Sequence, residues 1–213
     1  MSRPTVPSAD VLFRRLLKEL RPTLTAYGFR RRSQNFVIES AECWGIINFQ
    51  KSLYSSPKEK KFTVNLAIAA KRILLFCNEP ADAPPVHWKC HWEIRLGKLI
   101  PGCSDRWWTL SNEGSYDSAL TEVKGLVTEK AVPLVKDHMT EEGLLRLWGK
   151  ILGGFEYPRL KEKSILLAER KEFDQLPGIF RRIREICRGG LAEDGAEKHI
   201  SAIERRFNLE TRS

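Results

Sequence analysis

The sequence predicts an α+β protein: a mainly antiparallel sheet covered by an N-terminal helix and followed by a C-terminal helical extension. Three observations carry this. Leu12, Leu16, Leu20 and Leu24 recur at the spacing of one helix face. Phe62, Val64, Leu66 and Ile68 alternate strictly with Thr63, Asn65, Ala67 and Ala69, the period of a strand. From Ser115 onward the apolar period lengthens again to that of helices, with Ala119, Val123 and Val127 leading the first. A division into an α+β domain over residues 1–138 and a helical extension over 139–213 follows from that change of period.

Taken in order, Ser8 is a candidate cap for a helix starting at Ala9. Val11 and the leucines form its apolar stripe, and Arg14, Arg15, Lys18 and Arg21 fall largely opposite. Pro22 predicts a kink and Gly28 a stop. Short strands are expected over Phe29–Arg32 and Asn35–Glu39, where Phe36 and Ile38 share one side. Cys43–Lys51 reads as the central strand, because both alternating sets are apolar at its start. Ser52–Lys60 is polar and contains Pro57, so it is a loop. The run Ile73–Phe76 fits a short helix or a strand. His91–Leu96 and Arg106–Leu110 complete the sheet, whose connections are too short for repeated helical crossovers. Beyond it the spacing predicts a long helix bent near Pro133, then one capped by Thr140 and ending at Gly153-Gly154. Three more follow, over Leu160–Lys171, Pro177–Cys187 and Ala192–Phe207.

Composition narrows the class. With 42% hydrophobic and 30% charged residues in 213, the chain has the balance of a globular protein. No apolar run approaches the length of a membrane span, no apolar leader is expected at Met1–Ala9, and a cytoplasmic location is expected. Five cysteines at scattered positions do not suggest a disulfide framework. The net charge of +9 suits a nucleic acid, an acidic protein or an anionic small molecule, although the cations are spread in short clusters that also suit a solvated surface.

The central strand carries the functional clue. Its second half places Ile47 and Phe49 on one side and Asn48 and Gln50 on the other. If the strands holding Asn48, Asn65 and His91 share a sheet, their apolar members face one core. Asn48, Gln50, Thr63, Asn65, His91, Glu93 and Arg95 then share the opposite face. Amides, an imidazole, a carboxylate and a guanidinium suit recognition of a polar or anionic partner, with Arg95 as the fork. A solvated sheet face, with Arg95 paired to Glu93 or another neighbour, accounts for the same pattern. Trp107 and Trp108, being adjacent, must face opposite sides, so one joins the core and the other borders the open face.

Other chemistry is less well supported. Cys77, His87, Cys90, His91 and Cys103 are metal-ligating types, but no paired C-x-x-C knuckle is present and adjacent Cys90 and His91 diverge in a strand. No signature orients a cysteine nucleophile toward His91, and Gly153-Gly154 is not followed by the Lys-Ser or Lys-Thr of a phosphate loop. No metal and no cofactor is expected.

The ordered series Ile47-Asn48-Phe49-Gln50-Lys51-Ser52, Phe62-Thr63-Val64-Asn65-Leu66, Cys90-His91-Trp92 with Arg95-Leu96-Gly97, and Asp105-Arg106-Trp107-Trp108 resembles a bacterial family known only as domain of unknown function 4304. The likeness spans about residues 9–135 and implies a bacterial cytoplasmic α+β domain without an assigned activity. The first functional expectation is a binding protein rather than an enzyme. Its site would comprise Asn48, Gln50, Asn65, His91, Glu93, Arg95, Trp107 and Trp108. The partner would be an acidic or polar protein, in a role akin to immunity or defence by analogy alone. The alternatives are a nucleic-acid-associated protein and a hydrolase-like or zinc-dependent enzyme centred on His91 with Cys90 or Cys103.

Overall fold

A computed structural model describes residues 8–103, 105–150 and 155–209. Met1–Pro7, where most of the no-leader expectation falls, and the Gly153-Gly154 pair lie outside the described residues. The chain opens with helix α1 (Ala9–Ala26), whose inner face buries Leu12, Phe13, Leu16, Leu17, Leu20 and Leu24. Val11 stays outside the stripe at 41% exposure. Ser8 precedes the helix, but its carbonyl rather than its side chain meets the first turn. Pro22 is accommodated inside a continuous helix.

Among the described residues six antiparallel strands follow: β1 (Arg30–Arg32), β2 (Asn35–Glu39), β3 (Cys43–Lys51), β4 (Lys60–Ala70), β5 (Trp92–Arg95) and β6 (Trp108–Leu110). The order is β1-β2-β3-β4, and β5 and β6 then lie end to end along the free side of β4. β5 pairs with residues 65–68 and β6 with residues 60–62. The gap between them is bridged where the Thr63 hydroxyl donates to the Arg106 carbonyl at 2.8 Å. The ambiguous run after β4 is helix α2 (Lys71–Phe76).

One face of the sheet carries the core. Ile47, Phe49, Phe62, Val64, Leu66, Ile68 and Ile94 all point into it, beneath α1 and the helices that follow β6. Those begin with α3 (Glu113–Leu126), capped by Asn112, whose side chain accepts from the Ser115 amide at 2.9 Å. A wider π turn over Val127–Ala131 leads into α4 (Val132–Asp137). The bend expected near Pro133 therefore takes the form of a widened turn just before it. Proline lacks an N–H and crowds the preceding turn, and widening that turn relieves both problems.

Thr140 caps α5 (Glu141–Gly149) as its position suggests, its hydroxyl accepting from the Gly143 amide. Helices α6 (Glu156–Glu169), α7 (Leu176–Cys187) and α8 (Glu193–Phe207) complete the chain. Their apolar residues, among them Ile165, Ile183 and Ile200, belong to the same contiguous core as the sheet.

Gly45 shows how tightly the layers meet. A β-carbon there would lie 2.6 Å from Val135 Cγ1 and 2.8 Å from Met139 Sδ. Glycine in a central strand marks a close approach of this kind. Gly45→Ala should destabilise the fold by about 1–3 kcal/mol, the range for overpacking a filled core. Urea denaturation measures it, and an unchanged midpoint would mean that α4 yields freely.

Candidate functional site

The strand register aligns three asparagines and an arginine across the sheet. Asn35 opposes Asn48, Asn48 opposes Asn65, and Asn65 opposes Arg95. Directly opposed residues project to the same face, so the parity argument from sequence holds for Asn48, Asn65 and Arg95. Their amides form a chain: Asn48 Nδ2 donates to Asn35 Oδ1, and Asn65 Nδ2 donates to Asn48 Oδ1 at 3.1 Å and to Gln50 Oε1 at 2.8 Å. Asn48 and Asn65 are buried, at 1% and 2% exposure, which is tolerable only because their polar atoms meet one another. Asn35 is the member that sequence reasoning missed. The signal was available, since it precedes Phe36 on a strand whose parity was already read.

The rest of this face is not open. The segment from Cys77 to His91 folds back over the half nearest the start of β3. There Trp44, Ala69 and Leu74 cluster with Ala81 and Cys90, and Trp44 Nε1 donates to the Ala81 carbonyl at 3.0 Å. Val37, Ile46 and Ala67 are covered in the same way. What remains uncovered is the polar half.

That half floors a cleft of about 680 Å³ lined by residues that include Gln34, Gln50, Asn65, His87, Trp88, Glu93, Arg95, Lys98 and Asp105. A histidine–carboxylate contact and an ion pair stiffen its walls. His87 Nδ1 lies 2.6 Å from Glu93 Oε1, and Arg95 is held by Asp105. Asp105 also accepts from Trp107 Nε1 at 2.9 Å, and the Arg95 guanidinium lies 5.1 Å from the Trp107 ring centre. The Leu96–Leu99 turn sets the rim. It presses so closely on the returning chain that a β-carbon on Gly97 would lie 2.5 Å from the Arg106 amide nitrogen. Trp88 stands on the cleft edge at 68% exposure, its ring edge-on to His87.

The expected site residues therefore divide. Gln50, Asn65, Glu93 and Arg95 line the cleft, Asn48 supports it from beneath, and Trp107 braces Arg95. Trp108 points the other way, buried and stacked 5.6 Å from Phe62 in the core. One tryptophan in and one out is what adjacency required.

His91 does not share the cleft. It precedes β5 in a bend, and its Nδ1 accepts from the Ala70 amide at 2.9 Å. Burial lowers its pKa to about 4, so the ring is neutral with the proton on Nε2. It faces a separate hollow of about 300 Å³ beside α2 and α6, together with Cys77, Tyr157 and Glu162. Burial raises the Glu162 carboxyl to about 8. The imidazole of the cleft is His87, whose contribution no local pattern announced.

The metal and thiol alternatives gain nothing from this arrangement. Among the described residues, no three His, Cys, Asp or Glu side chains converge as an ion would require. Burial pushes the Cys90 thiol well above its usual range, and its Sγ leans on the Val86 carbonyl, so it is a poor nucleophile. No described helix is long and apolar enough to cross a membrane.

A family model described as Domain of unknown function (DUF4304) matches residues 20–137, more than half of the chain and the whole of the cleft. Searches of curated proteins and of solved structures return no match.

Proposed function

The chain belongs to this family, Domain of unknown function (DUF4304), and from that premise we propose that it is a binding protein whose cleft recognises a polar partner. One observation carries the reading. The carboxamides of Asn35, Asn48, Asn65 and Gln50 are locked to one another across three strands, and the His87–Glu93 contact and the Arg95–Asp105 ion pair hold the walls above them. Such a floor presents fixed donors and acceptors without the cost of ordering them on binding.

Among the described residues the lining carries no serine, threonine or cysteine, and both its carboxylates already have partners. That favours recognition over nucleophilic chemistry. Arg95 is neutralised by Asp105, so selectivity comes from hydrogen-bond geometry more than from net charge. Five free cysteines fit a reducing compartment, and we place the protein in the cytoplasm.

Site-specific photocrosslinking in cells tests this without assuming the partner's class. A crosslinking residue substituted at Trp88 should form discrete adducts, and adding Asn65→Ala and Arg95→Ala should reduce them severalfold. The same probe at Leu191, which is fully exposed in the helical part, should form none. Equal adducts with the cleft intact and disrupted would defeat the proposal.

A further inference from the structure

Beside the cleft lies a second groove of about 540 Å³, between α1, the β1–β2 turn and the end of β3. Arg14, Arg31 and Lys51 line it. Arg31 opposes Phe36 and Lys51 opposes Phe62, so the groove lies on the α1 side of the sheet, and Gln34, in the turn at the sheet's end, lines both this groove and the cleft on the other face. The groove's carboxylate, Asp10, is already 3.1 Å from Lys60 Nζ. Among the described residues, Arg14, Arg31 and Lys51 are in no ion pair. Arg31 donates to the Ser33 carbonyl, and Lys51 lies 5.9 Å from the Phe13 ring centre. Lys18 and Arg21 continue the Arg14 stripe along α1 at i+4 and i+7, also outside any ion pair among the described residues.

The contrast with other arginines is informative. Arg106 pairs with Glu122, Arg182 with Glu156, Arg184 with Glu197 and Arg206 with Glu169. Acidic side chains neutralise those cations but none of the three in this groove; among the described residues Arg146, Arg181 and Arg188 are likewise in no ion pair, so what marks the groove is that three such cations line one hollow beside Gln34. A strand lying on these cations would turn round the end of the sheet at Gln34 to reach the cleft, which offers amide donors and acceptors, an exposed indole and the cation Lys98, itself in no ion pair among the described residues.

We propose that groove and cleft together bind a single-stranded nucleic acid, with phosphates along Arg14, Arg31, Lys51 and Lys98 and one base entering the cleft against Trp88. This rests on the reading of the cleft as a recognition site and names the partner's class. An acidic protein would use the cations but has no need of a ring-sized polar hollow at the end of the track. A single strand uses both, because its backbone is a regular row of anions and its bases are free to leave the stack. A duplex keeps its bases paired and cannot offer one to Trp88.

Fluorescence anisotropy with the full chain provides the test. The probes are labelled 15-nucleotide DNA and RNA strands of one sequence, the corresponding duplex, and a poly-glutamate peptide. Neutralising four phosphates predicts that affinity for a single strand falls about 50-fold between 50 and 200 mM salt. The DNA and RNA arms show which sugar is preferred, and binding of either strand supports the proposal. The Arg14→Gln, Arg31→Gln, Lys51→Gln triple variant should bind at least tenfold more weakly. Trp88→Ala should lose about tenfold, as removal of a stacking face does. Lys171→Gln, on the far helical part, should match the wild type. These substitutions lie outside the buried core, and unchanged circular dichroism melts confirm that each variant is folded.

No binding of either strand at 50 mM salt overturns the proposal, as does equal affinity for duplex or poly-glutamate. Sensitivity to the groove variants without sensitivity to Trp88→Ala overturns the shared track. If crosslinks from the cleft persist while both strands fail to bind, the recognition site stands and only the nucleic-acid assignment falls.

Discussion

Between pH 6.5 and pH 4 the protein should lose most of its stability. His91 and His199 are both enclosed as neutral rings, and burial lowers each to about 4 from the ordinary 6.5. Their hydrogen bonds require the neutral form or are compatible with it. His91 Nδ1 accepts from the Ala70 amide. The Ser164 hydroxyl gives its proton to the Lys161 carbonyl and so accepts from His199 Nε2 at 2.8 Å. Lys161 adds repulsion against a charged His199.

The sign follows from proton counting. Between the two values the unfolded chain binds more protons than the folded one, so the stabilisation is complete above pH 6.5 and is lost as pH falls toward 4. A shift of this size corresponds to about 3 kcal/mol for each histidine. Together that is comparable with the whole stability of an ordinary domain, typically about 5–15 kcal/mol. Urea titrations at half-unit steps from pH 7 to pH 4 measure the effect. His91→Asn preserves an acceptor for Ala70, and His199→Gln preserves a donor for Ser164. Each should flatten the profile above pH 4.5, where paired carboxylates do not yet contribute. A wild-type profile already flat from pH 6.5 to 4.5 would show that neither ring is sealed from water.

Glu162 should act at the other end of the scale. Burial raises its carboxyl to about 8, only slightly opposed by neighbouring Lys161. Here the folded state holds the proton more tightly. Its contribution is complete below about pH 4.5 and is lost as pH rises through 8. Glu162→Gln keeps the shape and removes the ionisation, so the variant should be the more stable protein at pH 9, by on the order of 4 kcal/mol. Near pH 4.5 the two should be equally stable. Carbon-13 NMR of the side-chain carboxyl gives a direct check, with a midpoint near 8. A midpoint in the ordinary carboxylate range would show that water reaches Glu162 through the adjacent hollow.

His91 and His87 also mark the limit of what alternation reveals. Spacing from Glu93 and Arg95 assigned His91 to the polar face, and parity is sound reasoning within a strand. The strand begins at Trp92, however, and the bend before it turns His91 toward α2 and α6. His87 reaches the cleft from a short 3-10 turn, where neither a period of two nor a helical period applies. The same holds for Trp88. Alternation placed Arg95 on the polar face, and of the partners open to it, Glu93 or another neighbour, it takes the second. Asp105, brought back by the Leu96–Leu99 turn, holds it.

The sequence by itself determined the long helices, the main strands and the side of the sheet to which Asn48, Asn65 and Arg95 belong, but left Ile73–Phe76 open between helix and strand. These depend on backbone geometry repeated along neighbouring residues, so a periodic pattern records them. Only the tertiary structure decided that the Cys77–His91 segment covers the apolar half of that side, that β5 and β6 meet β4 end to end, and that uncompensated cations adjoin the cleft. Those outcomes depend on contacts between segments far apart in the chain, several of them aperiodic. No local pattern encodes which stretch will fold back over which.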